Sequence, residues 1–259
     1  MPSHAGRAAV GAVAVCTAAA AALFLSPTPA YADHVDDPSA QELSDRAQEA
    51  LQDAKSVRLA LTDKSAGTET SSTQPTSMDL ALDQDGNCAG SLDMGRDGGS
   101  VEIVKQDDEV WMKPDADFWK AQIPGAEGEA AAELFKNRYI HGSTSDALLK
   151  GMADTCDLNA FQEGLTDDDS DEAAPLKKGD ETTVDGDEVV PVSQTEDGET
   201  TTLHITTDSD HHLVKATTKG DGSDITMTFT DYDEPVPSET PSADDSIDVS
   251  KLQSELEKI

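Results

Sequence analysis

The chain is poor in positive charge and in aromatic rings. Lys and Arg number 18 against 53 Asp and Glu, giving a formal charge of −35 over 259 residues, and Phe, Trp and Tyr make up only 4%. A surface this negative repels phosphate backbones, which excludes nucleic acid as a partner, and it repels anionic lipid headgroups as well. Beyond residue 25 no apolar run is long enough to enter a bilayer, so the mature chain is expected to have no transmembrane span. Catalytic signatures are missing too. There is no Gly-x-Ser-x-Gly, no His-Glu-x-x-His and no phosphate loop, and carboxylates are so abundant that no pair stands out. The expectation is a protein that is no enzyme and carries no cofactor. Its self-repulsion predicts a monomer.

The one long apolar stretch is at the N-terminus. Arg7 precedes an alanine-rich run over residues 8–25, Pro27 and Pro29 break it, and Ala30-Tyr31-Ala32 offers the small-x-small pattern of a signal peptidase site. Residues 1–32 are read as an export signal cut between Ala32 and Asp33, which sends the mature chain to the envelope or beyond. A retained membrane anchor is the alternative reading, because roughly 17–25 apolar residues suffice to span a bilayer. Cys16 follows Val15, a β-branched residue where a lipid-attachment site carries a small one, and the apolar run continues past it. It is read as an ordinary signal residue, with lipid anchoring at Cys16 as the alternative.

Cleavage leaves Cys88 and Cys156. Two cysteines in an exported chain predict one disulfide, the alternative being two free buried thiols. Neither has a Cys or His at ligand spacing, which argues against a metal.

Periodicity organises the rest. Ser39 with Glu42 forms a capping box, and Leu43, Ala47, Ala50, Leu51 and Ala54 recur at helical spacing, predicting a helix over 40–55. Then the period drops to two, through Val57-Leu59-Leu61, Met78-Leu80-Leu82, Leu92-Met94, Val101-Ile103 and Val110-Met112, with turns at Asp85-Gly86, Gly98-Gly99 and Asp107-Asp108. This is an antiparallel meander, which Pro114 is expected to end. Short helices follow over 115–122, 127–137, from a Ser145 cap, and around Leu158 and Phe161. An acidic loop occupies 164–174. Strands resume at Thr182 and run, through Asp-Gly turns, to Ile225-Met227-Phe229. Pro235, Pro237 and Pro241 mark a polar linker, and Leu252, Leu256 and Ile259 give the tail a weak helical spacing. The domain is therefore set at residues 33–235, with 236–259 as linker and tail. The fold class is α+β: a curved antiparallel sheet with an N-terminal helix and a helical insertion over one face.

Several stretches resemble a known family. They are Asp85-Gly86-Asn87-Cys88-Ala89-Gly90, Val110-Trp111-Met112-Lys113-Pro114-Asp115 with Phe118-Trp119-Lys120, Lys150-Gly151-Met152-Ala153 before Cys156-Asp157-Leu158, and Tyr232-Asp233-Glu234-Pro235 with Ile247-Asp248. Together with the order of elements, they resemble the LolA-like superfamily and, within it, the actinobacterial LppX/LprG-type lipoproteins, over most of residues 40–250. The resemblance implies a half-barrel around a hydrophobic cavity with helices at its mouth, and a role in carrying acylated lipids or glycolipids across the envelope.

On that basis Leu80, Leu82, Leu92, Ile103, Leu203, Ile205, Ile225, Met227 and Phe229 are candidates to line a cavity. The competing reading is a packed core, which every one-sided sheet also needs. Trp111, Phe118 and Trp119 are candidates for a rim or lid, against plain strand–helix packing. His211-His212 lies in a turn and is read as solvated, not as a metal site. Asp83–Asn87 lacks the glycine and glutamate positions of a calcium loop, and the 167–172 run is read as solvated acid. The functional expectation is an exported binding protein that carries or senses a lipid or acylated molecule. The alternative is an envelope protein–protein interaction or regulatory module of the same fold without a lipid, whose partner would present a basic patch to this acidic surface.

Overall fold

The computed structural model describes residues 37–65, 67, 75–165 and 174–249. The export signal, Cys16 and the Ala32–Asp33 cleavage point lie outside the described residues, as do the acidic run 167–172 and the tail helix.

Helix α1 (Ala40–Asp53) starts where the capping box puts it: Ser39 Oγ accepts from the Glu42 N–H at 3.2 Å and Glu42 returns a carboxylate to the Ser39 N–H at 2.8 Å. Strands β1 (Ser56–Asp63), β2 (Ser77–Asp83), β3 (Cys88–Asp93), β4 (Ser100–Gln106) and β5 (Glu109–Pro114) form the meander. Two short helices follow, α2 (Ala116–Gln122) and α3 (Ala126–Leu134), then β6 (Tyr139–Ser143), α4 (Lys150–Asp154) and α5 (Leu158–Gly164). Strands β7 (Lys177–Lys178), β8 (Thr182–Val184), β9 (Asp187–Glu196), β10 (Glu199–Thr206), β11 (Leu213–Gly220), β12 (Ser223–Thr230) and β13 (Ser246–Asp248) complete the described chain.

All thirteen strands join one curved sheet in the order β13-β6-β5-β4-β3-β2-β1-β12-β11-β10-β9-β7, with β8 also on β9. Every pairing is antiparallel except β13 on β6. The two meanders meet where β1 pairs with β12. The Asp-Gly signals are real turns. At Asp197-Gly198 and Asp221-Gly222 both residues have positive φ, as a two-residue turn that follows the strand twist requires.

Three local expectations are corrected. Pro114 ends β5 but not the sheet, because after two helices the chain returns and lays β6 on β5, Met112 opposite Ile140. Ser145 does not cap a helix: its N–H goes to Ser143 Oγ at 3.2 Å, Asp146 takes the Ser143 N–H at 2.6 Å, and this turn delays α4 to Lys150. Leu148 is left 48% exposed in consequence, while Leu149 is fully buried. Past the proline segment, Ser246–Asp248 adds a parallel edge strand, with Tyr139 opposite Ser246.

Helices gather on one face of the sheet. Helix α1 packs on β9, β10 and β11, and α2 on β4. The C-terminal carbonyls of α1, orphaned in any helix, are met from α5: Gln162 Nε2 donates to Leu51 O and Ala54 O, each at 2.9 Å. Gln162 is itself buried, so its amide is matched inside the protein. Cys88 on β3 and Cys156 between α4 and α5 are bonded, Cα to Cα 5.4 Å, fixing the helical insertion to the sheet.

Candidate functional site

Alternation puts odd-numbered positions of β1 and their register partners on the helix-covered face. One transverse row runs through Pro114, Val101, Leu92, Met78 and Leu61 on the first meander. It continues through Met227, Ala216, Leu203 and Val192 on the second. That single row crosses β5, β4, β3, β2, β1, β12, β11, β10 and β9 without a polar interruption.

The sequence candidates fall on this face. Leu80, Leu82, Leu92, Ile103, Leu203, Ile205, Met227 and Phe229 are buried in one hydrophobic cluster, against which the half-buried Ile225 packs. The cluster also takes in Val57, Leu59, Met112, Ile140, Val190 and Leu213, which follow from the same alternation. At roughly 25 cal/mol per Å² of apolar surface removed from water, this cluster is the main stabilising element of the fold.

The row on one side of it is different in the second meander. Gln194, Thr201 and Thr218 succeed one another in register, next to Ile225 on β12, which faces Asp63 of β1. Thr201 and Thr218 hydroxyls meet at 3.1 Å. Gln194 is 5% exposed, and neither its amide oxygen nor its amide nitrogen has a protein partner among the described residues. The Val190-Val192 alternation, carried one step further, already placed Gln194 on the inner face. Past this row come the hairpin tips, where Ser223 Oγ donates to Glu199.

The aromatic candidates divide. Trp119 stacks on Phe135 at 5.0 Å, with Phe118 edge-on at 5.9 Å, on the helix-covered side. Trp111 does not join them. It lies between Val110 and Met112 in β5, so it points to the opposite face, where it stacks on His141 at 4.6 Å and 11°. His141 Nε2 is 3.3 Å from a Glu109 oxygen and Nδ1 is 3.9 Å from Asp248, which ties edge strand β13 to its neighbours.

This outer face is otherwise held by ion pairs. Arg58 meets Asp79 at 2.8 Å, and that hydrogen bond raises the guanidinium pKa above its ordinary value. Glu102 takes Lys113 and the Tyr139 hydroxyl, both at 2.8 Å. Burial works to raise the Glu102 pKa, but the two hydrogen bonds outweigh it and hold the carboxyl below its usual range. Tyr139, desolvated and donating to Glu102, is pushed up to about 12.

The two turn histidines part. His212 stacks on Tyr232 at 4.1 Å, and His211 Nε2 accepts from Arg46 at 3.0 Å. Burial raises the Tyr232 pKa, and its hydroxyl donates to Leu213 O at 2.7 Å, which pins the chain leaving β12. Among the described residues no cluster of three or more His, Cys, Asp or Glu is placed to hold a metal, and no helix is long and apolar enough to cross a membrane.

No family model matches the chain, and no curated protein matches it. Solved structures do. The lipoprotein LppX of Mycobacterium tuberculosis is similar at 17% identity and a TM-score of 0.48, over 79% of this chain and 100% of that one. LprF of Mycobacterium bovis is similar at 14% identity and a TM-score of 0.52, over 79% of this chain and 97% of that one. The likeness to LprF shows a shared fold, a curved and largely antiparallel sheet with helices on one face.

Proposed function

We propose that this is an exported, non-enzymatic binding protein that carries or senses a lipid or acylated molecule against the inner face of its sheet. The observation that supports the reading most is the unbroken apolar row from Pro114 to Val192, across nine strands of one curved sheet. A hydrocarbon chain laid along such a surface gains about 0.8 kcal/mol per buried methylene, so no catalytic or charged group is needed to hold it. LprF shares the fold. Residues 1–32 supply the export route and the Cys88–Cys156 bond suits an oxidising compartment.

Native mass spectrometry and organic extraction of protein purified from an envelope-bearing host test the reading. Co-purifying acylated mass, or saturable uptake of a fluorescent fatty acyl probe, is expected. Protein that is free of lipid and takes up no probe contradicts it, and leaves the interaction-module alternative, for which a low-salt envelope pull-down should then recover a basic partner.

A further inference from the structure

The inner face is graded from one end to the other. Under α1 the register row is apolar, with Val190 opposite Ile205. The next row, Val192-Leu203-Ala216-Met227, is apolar too. Then the face changes to Gln194-Thr201-Thr218, and two residues further along each of β9 and β10 it reaches Glu196 and Glu199 at the hairpin tip. The change is in kind of group as well as polarity: an amide and two hydroxyls, none of them charged. Leu176, which immediately precedes the Lys177–Ser193 pair and packs on the core, helps cover this end.

Gln194 is the informative residue. Proteins match buried polar groups, and this chain does so for Gln162, whose amide is spent on the α1 carbonyls. Gln194 is as deeply buried, yet both ends of its amide are without a protein partner among the described residues. An amide offers two donors and an acceptor, which suits a hydroxyl or an ester carbonyl. It offers nothing that would neutralise a phosphate or carboxylate. The cation that shares this face on β7, Lys178, is engaged by Asp37 and by the Pro38 carbonyl. The carboxylates of Glu196, Glu199 and Asp63 on the same face disfavour an anion further.

We infer that Gln194, with the Thr201–Thr218 hydroxyl pair, is a specificity-determining site for the uncharged, hydrogen-bonding head of the acylated ligand. The head lies toward the β9–β10 and β11–β12 hairpin tips and the hydrocarbon runs back along Leu203 and Met227 toward α1. The inference rests on the lipid-binding reading above and adds to it a ligand class, neutral acyl esters over anionic ones, and a direction.

The test compares 1-monopalmitoylglycerol with palmitoyl-lysophosphatidic acid, which carry the same acyl chain, by displacement of a bound fluorescent acyl probe. The wild-type chain is expected to bind the neutral ester at least about tenfold more tightly. In Gln194→Met that preference should fall by about tenfold, since one matched hydrogen-bond group in a buried site is worth that much. Gln194→Met should melt at or above the parent temperature, because it replaces an unpartnered amide by an apolar chain of similar length. Thr201→Val is expected to weaken the neutral ester in the same direction. Equal affinity for the two lipids, or unchanged affinity for monopalmitoylglycerol in Gln194→Met, overturns the inference while leaving lipid binding in place. Failure of the wild type to bind the acyl probe and both lipids overturns it together with the reading on which it rests.

Discussion

Between β2 and β5 the inner face is apolar from Leu82 through Leu80 to Met78 and from Met112 to Pro114, with Lys105 at one end opposite Cys88 and Val110, and a disulfide fastens β3 to the helical insertion. Between β9 and β12 the same alternation starts apolar at Val190 and Val192 and then admits Gln194, Thr201 and Thr218, with α1 as the cover and no cysteine. Both meanders have the strand lengths and Asp-Gly turns of ordinary one-sided sheets. What separates them is how their inner faces are closed: by the disulfide-tethered insertion and the Trp119–Phe135 stack in the first, and by α1, with Phe161 of α5 against Phe229, over a partly polar floor in the second. Each meander has a buried polar group without a partner among the described residues, the Trp119 indole N–H over the first and both ends of the Gln194 amide in the second; Gln194 differs in lying on the strand face itself beside two hydroxyls.

That contrast can be broken most forcefully at the disulfide. Cys88 and Cys156 enclose a separation of 68 residues, and losing a cross-link of that span costs about 4 kcal/mol in the chain-entropy description. The Cys88→Ser, Cys156→Ser double variant should melt on the order of 10 °C lower, since about 1 kcal/mol shifts a domain of this size by roughly 2–4 °C. Hydrogen exchange should show protection lost first in β3, α4 and α5 and retained in β10–β12. Uniform loss would mean that the two meanders are not separable.

A smaller effect sharpens the comparison inside the apolar face. Leu80 of the first meander is wholly buried, and Leu80→Ala should cost about 3 kcal/mol, within the usual range for core leucines. Leu203 is equally buried but belongs to the meander proposed to hold the ligand. Leu203→Ala should cost stability and also weaken acyl-probe affinity, whereas Leu80→Ala should act on stability alone, both read by denaturant melts and probe titration. Equal effects on affinity would remove the distinction.

The smallest effect is on the outer face. Glu102 is held below the usual carboxylate range by Lys113 and Tyr139. A carboxyl depressed in the folded state adds stability above its unfolded pKa, and that contribution is lost as pH falls through the folded value. Glu102 is half exposed, so the gain is screened and should stay under about 1 kcal/mol. Glu102→Gln should flatten the acid limb of the stability–pH curve slightly, measured by urea melts across that range, and leave neutral-pH lipid affinity untouched.

Much of this fold was legible in the residues. The Ser39–Glu42 box, the period-two runs and the Asp-Gly turns are local signals, and local geometry obeyed them. The nine cavity candidates share one face because alternation alone decides that. What stayed hidden depends on distant partners. Tyr139–Ser143 has one aliphatic residue and becomes a strand because β5 offers it an edge, and Ser246–Asp248 becomes one only because β6 is there. Nearness in sequence groups Trp111 with Phe118 and Trp119, although its position between Val110 and Met112 sends it to the other face. Gln194 was in reach of the Val190-Val192 alternation. Its burial was not, because that comes from neighbours on other strands.

The most direct test of an acyl-binding inner face is photo-cross-linking with a diazirine-bearing fatty acyl probe, followed by peptide mass mapping. Adducts concentrated on the β10 and β12 segments bearing Leu203 and Met227 are the expected result. Adducts confined to the outer face around Trp111 and His141, or no saturable labelling at all, would contradict it.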